Sequence, residues 1–132
     1  MYVTIDTSAL IAVIGNEEAK GTIIDLTVGY SLYAPASVHW EIGNAFSAMF
    51  KRGSSSLDDA RNALEAYQEI PIRFIDVPLE QSIELSHSLN SYAYDAYLIQ
   101  CALQTNTSLL TLDNGLIISA RKSGVECLEI SK

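Results

Sequence analysis

Four acidic residues of this chain stand where carboxylates can do chemistry. Asp6 ends the short apolar run Tyr2-Val3-Thr4-Ile5, and Asp113 ends a second one, Ser108-Leu109-Leu110-Thr111-Leu112. Each is followed by a helical pattern, so each is delivered to the carboxyl edge of a buried strand, where open α/β sheets place their sites. Glu41 flanks the apolar stripe of a third helix, and Asp95 falls on a stripe itself, in the series Asp95, Ile99, Ala102 and Leu103. An ionised Asp at a core position is costly unless it is paired, hydrogen-bonded or bound to a metal. No histidine accompanies the four, and oxygen-only sets suit hard cations, Mg²⁺ or Mn²⁺, rather than zinc. Without a cation, several neighbouring carboxylates cannot all stay ionised near neutral pH. With one or two divalent ions they can, and such a centre holds a phosphate oxygen, generates a nucleophile from water and steadies a leaving alkoxide. The residues by themselves point to a metal-dependent phosphoryl hydrolase with Asp6, Glu41, Asp95 and Asp113 as ligands. Ser8 and Thr111, hydroxyls close to two of these acids, are candidates to orient them, and Asn44, three residues after Glu41, to support it.

Each acid also has an ordinary reading. Asp6 and Asp113 can cap the helices they precede, Glu41 can be a solvated helix residue, and Asp95 can be an N-terminal charge favoured by the helix dipole. Their joint placement is what favours a metal site. His39 and His87 read as surface or hydrogen-bonded structural residues. Trp40, Phe46, Met49 and Phe50 read as core or as a surface between copies, and Tyr92, Tyr94 and Tyr97 as packing. Lys51, Arg52, Arg121 and Lys122 read as helix-end cations first and phosphate contacts second.

The elements that must position these residues follow from periodicity and punctuation. Helices are expected from Asp6 to Gly15, over 17–28, over 37–52 with Gly53 as its stop, and from a Ser56 cap to Pro71 with Leu57, Ala60, Leu64 and Tyr67 inside. Further helices are expected after Pro78 with Leu79, Ile83 and Leu89 inside, over 96–104, and over 114–122. Strands are expected at 2–5, 31–34, 73–77, 109–112 and 125–130. This alternation implies an α/β fold with a mostly parallel sheet flanked by helices.

The chain has 132 residues, enough for one core, and reads as a single domain over 1–132. Met1 leads straight into a strand with no basic leader, and no apolar run approaches the ~20 residues that span a bilayer. The expectation is a cytoplasmic protein with no membrane partner. Cys101 and Cys127 read as reduced thiols. Eight basic residues face sixteen acidic ones, a net charge of −8. That excludes a broad basic nucleic-acid face, so a polyanion must be held locally, by metal and a few cations.

The motifs also carry a resemblance. Ile5-Asp6-Thr7-Ser8-Ala9-Leu10, Glu41-Ile42-Gly43-Asn44-Ala45, Tyr94-Asp95-Ala96-Tyr97-Leu98-Ile99 and Thr111-Leu112-Asp113-Asn114-Gly115-Leu116 resemble, in order and over essentially the whole chain, the motifs of PIN-domain ribonucleases. More narrowly they resemble the VapC toxins of prokaryotic toxin-antitoxin pairs. The resemblance implies a three-layer α/β/α sandwich and Mg²⁺ or Mn²⁺ bound by Asp6, Glu41, Asp95 and Asp113. It further implies endonucleolytic cleavage of single-stranded RNA, homodimerisation, and neutralisation by a small antitoxin protein. Two other readings compete: a non-catalytic interaction module on the same fold, and an aspartate-based phosphatase. The phosphatase is disfavoured because Ser8 stands where its second Asp would supply a proton.

Overall fold

The structure, a computed structural model, describes residues 1–130; the last two residues of the expected 1–132 domain lie outside them. Four strands, β1 (Tyr2–Ile5), β2 (Ser31–Pro35), β3 (Ile72–Ile75) and β4 (Ser108–Leu110), form a sheet in the order β3-β2-β1-β4. Every pair is parallel, with Val3 opposite Leu32 and Ser108, and Thr4 opposite Tyr33 and Leu109. Seven helices accompany it: α1 (Thr7–Ile14), α2 (Lys20–Thr27), α3 (Ser37–Arg52), α4 (Leu57–Gln68), α5 (Leu79–Leu89), α6 (Ala93–Thr105) and α7 (Asn114–Lys122). The result is the α/β sandwich with a parallel central sheet that the sequence implies.

β1 is central and covered on both faces, which is why Val3, Thr4 and Ile5 are all buried. Thr4 is tolerated there because its hydroxyl bonds Thr107 Oγ1 at 2.8 Å. α6 lies across β1, β2 and β4 with α5 against it, and α1 packs on α2, α3 and α4. The strand order reverses at β1, since the chain winds outward through β2 and β3 and returns to β1's other side with β4. The crevice beyond the carboxyl ends of β1 and β4 is therefore the switch point where such sheets bind ligands, and Asp6 and Asp113 follow those two strands.

Several boundaries and faces differ from expectation. α2 starts at Lys20 rather than 17, because Asn16 turns left-handed (φ 54°) and Glu17 N–H folds back onto Ala12 O at 2.8 Å. β3 stops at Ile75 rather than 77, since its partner β2 ends at Pro35. β4 stops at Leu110 rather than 112, because Thr111 turns toward Asp6. α6 starts at Ala93 rather than 96, which puts Asp95 in its first turn. The expected strand over 125–130 is a single parallel bridge, Leu109 to Cys127, with Leu109 N–H on Glu126 O and Leu128 N–H on Leu109 O, both at 2.9 Å.

Two helix faces are rotated. α4 buries Ala60, Ala63 and Tyr67 and exposes Leu57 and Leu64, the small alanines allowing a close approach. α5 turns Leu79 (60% exposed) and Ile83 outward and buries Ser82, with Leu85, Ser86 and Leu89 half-buried. Ser82 and Ser86 can face inward because their hydroxyls donate to Pro78 O (2.8 Å) and Ser91 O (2.6 Å). The α3 span, its Gly53 stop in the left-handed region (φ 69°) and the Ser56–Asp59 capping box match expectation.

The rotation of α5 has a direct test in chemical denaturation. Ile42→Ala, at a fully buried site, is expected to lower unfolding free energy by about 2–5 kcal/mol. Leu79→Ala is expected to cost less than about 1 kcal/mol. A loss at Leu79 as large as at Ile42 would restore the unrotated face.

Candidate active site

Asp6 is 4% exposed and, among the described residues, its side chain carries more hydrogen bonds than that of any other acid. As N-cap of α1 it accepts from Ala9 N–H at 3.0 Å. Thr111 Oγ1 donates to Oδ2 at 2.5 Å, and Ser8 Oγ stands 2.8 and 2.9 Å from the two carboxylate oxygens. Both hydroxyls also accept, Thr111 from Asp113 N–H (3.0 Å) and Ser8 from Leu112 N–H (2.9 Å). The turn after β4 is thereby tied to the end of β1 through the Asp6 carboxylate. Burial pushes the Asp6 pKa up, the bonds from Thr111, Ala9 and Ser8 hold it down, and the Asp113 charge raises it again.

Asp113 caps α7, its Oδ1 accepting from Gly115 N–H (2.8 Å) and Leu116 N–H (3.3 Å). A Cβ on Gly115 would stand 3.3 Å from that oxygen, so the missing side chain leaves the cap room. The capping readings of Asp6 and Asp113 are therefore correct, and they orient the carboxylates at the carboxyl edge.

Glu41, in α3, is half-buried. Its Oε2 is buried without a hydrogen-bond partner. Burial, with the charges of Asp6 and Asp95 added, pushes its pKa from 4.5 to about 7, against a lowering contribution from the Thr7 hydroxyl. Thr7 thus lies against the carboxylate, yet Thr7 Oγ1 and Glu41 Oε2 each lack a well-formed hydrogen bond. Asp95 is half-buried, and burial followed by the Asp113 charge raises its pKa as well. The fold therefore brings Asp6, Glu41, Asp95 and Asp113 within electrostatic reach of one another. Asn44 is exposed on α3 and makes no side-chain hydrogen bond among the described residues. Thr7, which the sequence reading passes over, is a further group at the site; its signal was adjacency to Asp6 on the first turn of α1. Tyr92, read as packing, is instead 84% exposed.

The donor set is hard oxygen, and Glu41 Oε2 is a buried acceptor in want of a cation or proton, so the residues fit a divalent ion. They do not form a closed cage: among the described residues no group of three or more His, Cys, Asp or Glu side chains is disposed to hold an ion alone. Mg²⁺ needs no cage, since it keeps several waters and takes one or two carboxylates.

The family model of the PIN domain matches residues 3–122. The chain belongs to the PIN-domain family. This PIN domain is similar in fold to PAE2754 from Pyrobaculum aerophilum, at 20% identity and TM-score 0.68 over 90% of this chain and 87% of that one. It is similar to VapBC2 from Rickettsia felis, solved bound to a DNA fragment from their promoter, at 15% identity and TM-score 0.71 over 97% and 98% of the two chains. A domain of a functionally unknown protein from Methanocaldococcus jannaschii matches at 22% identity and TM-score 0.57 over 99% and 93%. No curated protein matches this PIN domain.

The raised carboxyl pKa values set the sign of a pH dependence. Asp6, Glu41 and Asp95 bind protons more tightly folded than unfolded. The stability they contribute is present below the ordinary carboxylate range and is lost as pH rises through the folded value. In chelator, urea denaturation is expected to show stability falling from pH 4.5 toward about 7, and Glu41→Gln to flatten the upper part of that fall. A stability that climbs over this range in both proteins would contradict the assignment.

Proposed function

We propose that this PIN domain is a Mg²⁺- or Mn²⁺-dependent endoribonuclease acting on single-stranded RNA, and the toxin of a type II toxin-antitoxin pair. The observation that carries the reading is a buried acceptor without a donor, Glu41 Oε2, within electrostatic reach of the buried Asp6 carboxylate and of Asp95, a strain that a divalent cation would relieve. When bound, such an ion polarises a phosphate oxygen and lowers the pKa of water.

The chain's own residues set up the rest. Ser8, Thr111 and the Ala9 N–H hold the Asp6 carboxylate in one orientation while leaving part of its acceptor capacity for a ligand. Burial holds the Glu41 pKa near 7, so its carboxyl is only partly ionised near neutral pH, and a bound cation would favour its charged form. Asp95 enters from the first turn of α6, Asp6 and Asp113 from the caps of α1 and α7, and Glu41 from the second turn of α3, so no single element sets their spacing. Lys51, Arg52, Arg121 and Lys122 sit in the last turns of α3 and α7, more than two turns beyond Glu41 and Asp113, and Arg121 pairs with Glu129 at 3.8 Å, so they act first as helix-end cations. A small antitoxin protein is the proposed partner, and a homodimer the proposed assembly; the match to VapBC2 over 97% of this chain supports the first. No helix among the described residues is long and apolar enough to cross a membrane.

Purified, antitoxin-free protein is expected to cleave a mixed single-stranded RNA pool with Mg²⁺ or Mn²⁺ and not with EDTA. Asp6→Asn and Asp95→Asn should abolish cleavage without unfolding the protein, whereas Thr111→Val should lower it by about 10- to 100-fold. Full activity in both Asn variants would refute the reading, and binding of Mg²⁺ without any RNA cleavage would favour a non-catalytic module.

Metal linkage gives a second, activity-independent check by thermal unfolding. Mn²⁺ at about 100 times its dissociation constant should add roughly 2.7 kcal/mol to the wild type. Asp95→Asn should gain markedly less; an equal gain removes Asp95 from the ligands.

A further inference from the structure

We infer that Trp40 is a base-stacking platform beside the acidic centre, on which one base of a single-stranded RNA rests while a neighbouring phosphate reaches the acids. The inference rests on the nuclease reading above. Trp40 directly precedes Glu41 in α3, so their Cα atoms stand about 3.8 Å apart. Their side chains diverge by about 100° around the helix, Glu41 toward the crevice and Trp40 outward. The core face of α3 is formed by Val38, Ile42 and Phe46, and the indole is left 67% exposed.

This ring is exposed but braced. The His39 imidazole meets it nearly perpendicularly, with centroids 5.1 Å apart and planes at 86°. His39 is itself held, its Nδ1 lying 3.2 Å from the hydroxyl of buried Tyr67 and its ring meeting Phe74 at 88°. A perpendicular neighbour covers at most one face of the indole, so the other is open to a flat ligand, and part of the ordering cost of binding is already met.

Charge selects the ligand mode. A chain with eight basic and sixteen acidic residues gains little from the phosphate contacts that dominate binding by basic proteins. Stacking needs no net positive charge, because every base has a π-face, and it is worth about five- to a hundred-fold in affinity per base. Bases of a duplex already spend their faces on one another, so a platform of this kind favours single strands.

Trp40 is the only tryptophan, so its fluorescence reports on this position alone. With Ca²⁺ in place of Mg²⁺ to hold hydrolysis back, short oligouridylate or oligoadenylate is expected to quench that fluorescence, and a duplex of equal length to leave it unchanged. In Mg²⁺, Trp40→Ala is expected to raise KM for single-stranded RNA by about ten-fold with kcat little altered, and Trp40→Phe to restore most of the loss. Unquenched fluorescence, or a wild-type KM in Trp40→Ala, overturns the inference while the nuclease reading stands. If the wild type cleaves no RNA, the nuclease reading fails, and the fluorescence titration still decides whether Trp40 stacks bases. Unquenched fluorescence together with loss of a dimer in sedimentation of Trp40→Ala also overturns it, and assigns the ring to a contact between copies.

Discussion

The Asp6 carboxylate is a negative charge placed at the end of the central strand, almost wholly out of water. Burying a carboxylate is expensive unless each oxygen finds donors. Here the donors come from two distant parts of the chain, Ser8 and Ala9 on α1 and Thr111 after β4. The same requirement explains why β4 ends early: Thr111 leaves the ladder to reach Asp6, and its oxygen in turn accepts from Asp113 N–H, starting α7. One solvation problem thus joins the first strand, the last regular strand and the last helix.

The remaining acids inherit that constraint. Asp113 is held at the edge by its own cap, and its charge raises both Asp6 and Asp95. Glu41 faces Asp6 and Asp95 with only the Thr7 hydroxyl to ease it, and burial with those two charges pushes its pKa up to about 7. A fold optimised for stability alone would replace these groups or neutralise them with arginine or lysine. Among the described residues both salt bridges lie elsewhere, between exposed Arg61 and Asp58 and between Arg121 and Glu129. The carboxyl edge is left electrostatically stressed, a condition that the divalent cation of the proposed function would relieve.

Much of this was legible in the chain. The α3 span, the Ser56–Asp59 box, the Gly53 stop and the four acids at strand ends or helix stripes all rest on local rules, such as a carboxylate after a buried strand or a cap before a periodic run. What failed to read were the faces of α4 and α5 and the ends of β3, β4 and the last segment. In α5 the apolar residues Leu79 and Ile83 looked like the inner face, but hydroxyls that bond their own backbone can be buried as cheaply as small apolar groups. Periodicity cannot see that compensation.

By itself, the sequence determined the alternation of strands and helices, the PIN-domain membership and the placing of four acids at strand ends and helix stripes, because these depend on residue type and spacing along a few turns. Tertiary structure alone decided how the acids share the crevice. Thr111 lies 105 residues from Asp6, yet completes its hydrogen-bond shell. Thr7 and Glu41 meet only when α1 and α3 pack. The His39 ring that braces Trp40 is likewise held by Tyr67 only because α3 and α4 pack together. The physical reason is common to all three: desolvation and hydrogen-bond partnership depend on what lies across the fold, and that is not written in any local window of the chain.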